Sequence, residues 1–138
     1  MKTLARRNLA VLAGMLACAL LGAGLDRAVL AQQTGIKRTV LLRTDVPTCS
    51  AYEAVMAIAE FAPGTGSGRH RHPGVEIAYV LEGSVVVEHE GRPTATLKPG
   101  DTQKNDAVHS ATNKGSQPAR VLAVYLVEKG KPLAEPVP

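Results

Sequence analysis

The sequence predicts an all-β barrel or sandwich, and three observations carry that reading. Residues 32–138 break into short apolar runs separated by Gly and Pro turns, and none of those runs has a credible helical continuation. The apolar share is 45% but aromatics supply only 3%, so the core must be built from Val, Ala, Leu and Ile, side chains that favour strands. At 138 residues the chain has room for one packed core once an amino-terminal leader is set aside.

That leader is residues 1–31. Met1–Arg7 is basic, Leu9–Gly24 is apolar, and Val29-Leu30-Ala31 places branched or small residues before Gln32, the pattern of an export signal cleaved after Ala31. The apolar run is too short for an anchor, which needs about 20 residues. A Sec-type signal to the periplasm or the exterior is the first expectation. Arg6-Arg7 makes a twin-arginine signal the second, and Cys18 stands too far inside the apolar run for lipoprotein cleavage. The formal charge of +4 comes mostly from this leader, because residues 32–138 carry 12 Lys and Arg against 11 Asp and Glu. With no basic stripe and no interleaved aromatics, a nucleic-acid partner is not expected. Cys49 is the single thiol after the leader, so no internal disulfide can form there, and it is expected to line the core.

Taken in order, Gln32–Arg38 reads as polar and loose, and Thr39–Arg43 as a first strand closed by Asp45 and Pro47. Tyr52–Phe61 holds Ala and Glu that would suit a helix, yet ten residues running into Pro63-Gly64 among strand-sized pieces argue for a half-buried strand. Val75–Leu81 and Ser84–Glu90 form a hairpin about Glu82-Gly83. Thr94–Leu97, Thr102–Lys104, Val108–Asn113 and Ala119–Glu128 complete about eight strands. The tail Lys129–Pro138, with three prolines, cannot enter a ladder centrally and is expected to strap the outside.

Between the glycine-rich entry at Gly64 and the hairpin Gly83, His70 and His72 stand one residue apart and Glu76 follows four residues later. Alternation in extended chain sends all three side chains the same way. Two imidazoles and a carboxylate form part of a coordination sphere for a divalent first-row metal, and His109 is the leading candidate for the fourth ligand, with Gln103 or a water as the substitute. His89, between Glu88 and Glu90 on a hairpin strand, reads as solvated. Arg69, Arg71, Arg92 and Lys104 read as solvated charges, with Arg69 or Arg71 placed to meet an anion at the mouth. Ala and Val side chains with Tyr79 and Met56 are expected on the pocket wall.

Gly64, His70, His72, Glu76 and Gly83 fall one for one on the first motif of the cupin superfamily, Gly-x5-His-x-His-x3-Glu-x6-Gly, which this segment closely resembles. Gly100–Asn113 resembles the second motif, Gly-x5-Pro-x-Gly-x2-His-x3-Asn, with His109 and Asn113 in register and two residues fewer before His109. An even loss keeps the later side chains on the same face. The resemblance implies a small double-stranded β-helix barrel of jelly-roll type, often a homodimer, holding one divalent metal through His70, His72, Glu76 and His109. Iron, manganese, nickel, copper, zinc and cobalt all suit that donor set.

Two functions follow from it. One is an exported metal-dependent oxidoreductase of dioxygenase type acting on a small molecule, with Glu76 as both ligand and general base. The other is a non-catalytic module that uses its metal for stability or to dock a small acid or sugar. Fold alone does not choose between them.

Overall fold

The computed structural model describes residues 36–138, and the leader lies outside the described residues. Ten strands and no helix are found among them: β1 Ile36–Asp45, β2 Tyr52–Phe61, β3 His70–Arg71, β4 Gly74–Glu82, β5 Val85–His89, β6 Ala95–Leu97, β7 Thr102–Asn105, β8 His109–Thr112, β9 Ala119–Glu128 and β10 Glu135–Pro136. They form two five-stranded sheets, ordered β1-β2-β9-β4-β7 and β10-β3-β8-β5-β6, with every pairing antiparallel. Consecutive strands cross between sheets, as β4 to β5 and β7 to β8 do, so each ligand-bearing segment borders the space between them.

The first sheet is built on strict alternation. In β2 the odd-numbered residues Glu53–Phe61 are buried and the even ones are not, and β9 repeats the pattern from Ala119 to Val127. The strand period wins over the helical composition of β2 because β1 and β9 flank it along its length and supply its backbone partners. The core is aliphatic, as its composition requires. Val80, Val85, Val87, Val121 and Phe61 close one end, and Val55, Tyr125, Val127 and Leu133 pack at the other.

Several expectations need correction. Ile36–Arg38 already belongs to the first strand, because it pairs with Ala59–Phe61 and is not loose, while residues 32–35 lie outside the described residues. Cys49 is exposed, since it lies in the turn after Pro47 and faces no wall. Tyr79 and Met56 are not on the pocket wall. Glu76 faces inward, and alternation then sends Ala78 and Val80 inward with it and Tyr79 outward, where it is 42% exposed. Cross-strand register puts Leu42, Met56, Val124 and Ile77 in one outward row, between a row of Ile58, Leu122 and Tyr79 and a row of Ala54, Leu126 and Val75.

The tail behaves as a strap. Glu135 and Pro136 pair with Arg71 and His70 at the edge of the second sheet, Arg71 donates to Glu135 at 3.0 Å, and Leu133 is buried in the core. Asn113, fully buried, fastens the opposite corner: its amide donates to the Phe61 and Gln117 carbonyls at 3.1 and 2.8 Å, and its oxygen accepts from the Gly115 amide.

Gly83 and Gly91 both have positive φ, +70° and +76°, but a Cβ at Gly83 would lie 2.6 Å from the Pro118 carbonyl oxygen, whereas one at Gly91 meets nothing. Both Ala variants incur the left-handed penalty of roughly 1 kcal/mol, and only Gly83→Ala must also displace backbone. Thermal melts should show Gly83→Ala losing at least twice the stability lost by Gly91→Ala. Equal losses would mean that the close approach at Gly83 relaxes freely.

Candidate metal centre

His70 enters from β3, His72 from the link before β4, Glu76 from β4 and His109 from the start of β8, so two strands of one sheet, one of the other and a connection meet. All four are buried, and one donor atom from each lies within 4.8 Å of the others. The imidazole centroids of His70 and His109 are 4.3 Å apart, and that of His72 is 5.0 and 5.1 Å from them. The shortened second motif leaves His109 facing inward because the missing pair falls in the turn between β7 and β8, and Cα pairing sets His109 opposite His70.

Backbone carbonyls fix which nitrogen each ring offers. The Nδ1 of His70 lies 3.1 Å from the Gly68 carbonyl, that of His109 lies 2.9 Å from the Ala107 carbonyl, and that of His72 lies against the Leu133 carbonyl of the tail. A carbonyl only accepts, so each Nδ1 carries a proton and Nε2 is the atom turned to the cluster, a lone pair for a cation when the ring is neutral and an N–H donor to Glu76 when the ring is protonated. The Nε2 atoms of His72 and His109 are 3.0 and 3.4 Å from Glu76 Oε2. Asn105, buried on β7, donates to the same oxygen at 2.8 Å. This is the arrangement that orients imidazole and carboxylate ligands about a cation, so the residues present fit a metal.

The charges follow. Burial alone would raise the Glu76 pKa, but hydrogen bonds from His109 and His72, the charge of His72, and the Asn105 amide together hold it well below the usual carboxylate range. Burial, then the nearby charge of His109, lowers His70 from 6.5 to about 4, against the opposing hydrogen bond to Gly68. At neutral pH the cluster offers an ionised carboxylate and a neutral His70.

Beside the four residues lies a cavity of about 40 Å³, walled by Phe61, Val85, Val87, Leu97 and Val121. Its polar lining includes Arg38, Ser67, Gln103, Asn105 and Tyr125. Gln103 therefore borders the cavity, and the fourth place beside His70, His72 and Glu76 is taken by His109. Arg38 and Tyr125 are the residues sequence reasoning missed here. Tyr125 was detectable from its place among the inward odd positions of β9, and Arg38 only once Ile36–Arg38 was seen to belong to β1.

His89 is the other correction. It is buried, not solvated, with its ring 5.8 Å from that of His109 and 17° from parallel. Val85, Val87 and His89 share one parity, and the inward alternation runs one step further than expected, to the residue opposite His109. Its Nδ1 donates to the Glu90 carbonyl, and it stands outside the four-residue cluster.

Two measurements test this centre. Zn(II) or Ni(II) at about 100 times its dissociation constant should stabilise the protein by roughly 2.7 kcal/mol and raise Tm by several degrees. His70→Ala and His109→Ala should abolish that shift, and its full retention in His109→Ala would remove His109 from the donor set. In metal-free protein the unfolded His70 binds its proton near pH 6.5 and the folded one near 4, so the stabilisation is complete above 6.5 and is lost as pH falls toward 4. Urea titrations should lose on the order of 3 kcal/mol across that window, and His70→Ala should flatten the slope.

Residues 57–125, half of the 138-residue chain, match the cupin domain family. No curated protein matches the chain in sequence. Among solved structures, the TT1209 protein from Thermus thermophilus is 27% identical over 75% of this chain and 93% of its own, with a TM-score of 0.55. The polyketide cyclase RemF from Streptomyces resistomycificus is 25% identical over 75% and 72%, with a TM-score of 0.58. A recombinant oxalate oxidase, 20% identical with a TM-score of 0.57, shares the fold; the chain covers 64% of that enzyme's length. The matched segment contains all three histidines of the cluster, its glutamate and the strands that aim them, and the chain belongs to the cupin family.

Proposed function

We propose that the protein is an exported, metal-dependent oxidoreductase of dioxygenase type that acts on a small molecule. The observation that carries this reading is the convergence of three imidazoles and the Glu76 carboxylate beside a largely apolar cavity. A divalent ion held by His70, His72, Glu76 and His109 would supply Lewis acidity, and redox chemistry where the metal allows it, at positions four protein ligands leave open. The chain's own residues do the rest. Asn105 holds one Glu76 oxygen at 2.8 Å and fixes the carboxylate's orientation, and Glu76, ionised well below neutrality, can accept a proton from a substrate lying in the cavity. The apolar side chains on the cavity wall lower the local dielectric and strengthen charge interactions beside them.

Oxygen uptake by the iron-loaded protein over a panel of diols, phenols and small acids tests the reading. Turnover should fall at least a hundredfold in His70→Ala and His109→Ala. A metal-loaded protein that consumes oxygen with no member of the panel would favour a docking module instead. The cavity's small volume supports that second reading, since it admits only a few water-sized groups. Export rests on the composition of residues 1–31, and amino-terminal sequencing of the secreted protein should begin at Gln32.

The same reading takes the molecule as a homodimer joined through the outer face of the first sheet. Ile77 and Leu42 in the central of the three apolar rows are 54% and 53% exposed, and Leu126 in the row beside it is 43% exposed. Four strands about 4.8 Å apart and three rows about 7 Å apart give roughly 400 Å² in plan, and a surrounding polar rim extends this toward the ~800 Å² each partner gives a stable interface. One face meeting its copy about a twofold axis closes the assembly. Light scattering at high micromolar concentration should find a dimer, reduced to monomer by the double variant Ile77→Lys, Leu126→Lys. A monomeric parent protein overturns it.

A further inference from the structure

We propose that Arg92 and Asp106 are positioning residues for the fourth donor of the cluster: their ion pair pins the turn between β7 and β8 and so keeps His109 aimed at its partners. The inference deepens the metal-site reading above and rests on it. That turn is the segment by which the chain passes from the first sheet to the second, and its residues serve the cluster in succession. Asn105 donates its side-chain amide to Glu76 at 2.8 Å, the Ala107 carbonyl accepts from His109 Nδ1 at 2.9 Å, and the Val108 carbonyl accepts from the Glu90 amide at 2.8 Å. A shift of the turn therefore moves the support of a carboxylate and of an imidazole at once.

Asp106 stands between Asn105 and Ala107, and its carboxylate gathers cations. Oδ1 accepts from Arg92 Nη2 at 2.6 Å, and Oδ2 lies 2.6 Å from Lys104 Nζ. Arg92, in the turn between β5 and β6, also donates through Nη1 to the Lys104 carbonyl at 2.8 Å. One planar guanidinium thus grips the chain on both sides of Asn105, a two-point hold that an ammonium cannot reproduce. Arg92 and Lys104, read from the sequence as solvated charges, are half-exposed members of this network. Asp106 Oδ1 is also 3.6 Å from Nε2 of His89, whose ring stacks on that of His109, so the same carboxylate borders the ring that backs the ligand.

The need for such a hold is visible in the sequence. No proline or glycine stands between Gly100 and His109, so neither a fixed φ nor a freely chosen one sets the crossing. His109 is the first residue of β8, and its ladder with β5 supports it from one side only. An exposed ion pair adds little to global stability, so a contact of this kind acts on the geometry of what it holds. Groups that orient metal ligands from behind typically change metal affinity by about ten- to a hundredfold when removed.

Calorimetry with Zn(II) tests the assignment. Arg92→Met and Asp106→Ala should each weaken zinc by about ten- to a hundredfold, Lys104→Met should cost less, and Arg92→Lys should recover part of the loss. The melting temperature of the metal-free protein should move by no more than about two degrees in these variants. Lys37→Met, which breaks an exposed ion pair to Glu60 on the first sheet, should leave zinc affinity unchanged. The visible spectrum of Co(II)-loaded Arg92→Met should move toward that of Co(II)-loaded His109→Ala. Zinc affinity equal to the parent's in both Arg92→Met and Asp106→Ala overturns the proposal, and so does a loss matched by Lys37→Met or by a collapse of the metal-free melting temperature. Should zinc not bind the parent at all, the metal reading fails, and amide exchange in metal-free protein decides the pin by itself. The Glu90 amide should then exchange about tenfold faster in Arg92→Met, and equal exchange overturns it.

Discussion

The constraint on which the structure depends is the fixing of three imidazoles by backbone carbonyls. Gly68, Leu133 and Ala107 each accept the Nδ1 proton of one ring, and this turns three Nε2 atoms toward one buried carboxylate. Crowding so many lone pairs together is unfavourable without something positive between them, a proton or an ion. The barrel supplies the opposing force. Extensive antiparallel pairing, especially β2 with β9 over ten residues, holds the walls so that the rings cannot turn away.

The fold and the four-residue cluster were legible because both are written in local periodicity. His70, His72 and Glu76 lie within seven residues, and alternation predicts them on one side; the structure brings them together across the step from β3 in the second sheet to β4 in the first. His109 needed only an even count of missing residues to keep its facing. What was not legible depends on neighbours distant in sequence. Arg38 looks like a loose polar residue until β2 recruits it into a strand. Tyr79 and Tyr125 are both tyrosines on apolar strands, and parity relative to Glu76 sends one to the surface and the other to the cavity. The charged flanks of His89 point to solvent, when the valines two and four residues before it are the better guide. The export signal is a feature of composition and lies outside the described residues.

The two sheets divide the labour. Glu76, Asn105 and Tyr125 belong to the first sheet, and they carry the negative charge and the two donors that restrain it. His70, His109 and the stacked His89 lie in one cross-strand row of the second, where the Cα pairing His70 to His109 and His89 to His109 lines the rings up. The centre therefore sits across the seam, and any change in the spacing of the sheets alters it before it alters either sheet's hydrogen bonds.

The strap formed by the tail has a consequence for biosynthesis. The carbonyl that orients His72 belongs to Leu133, 61 residues further along the chain. A nascent polypeptide that has emerged only as far as β9 already possesses all three histidines and the glutamate, yet one ring still lacks its orienting partner. The four side chains therefore stand in their final geometry only once the strap has closed, which makes the tail part of the centre although it supplies none of the four residues.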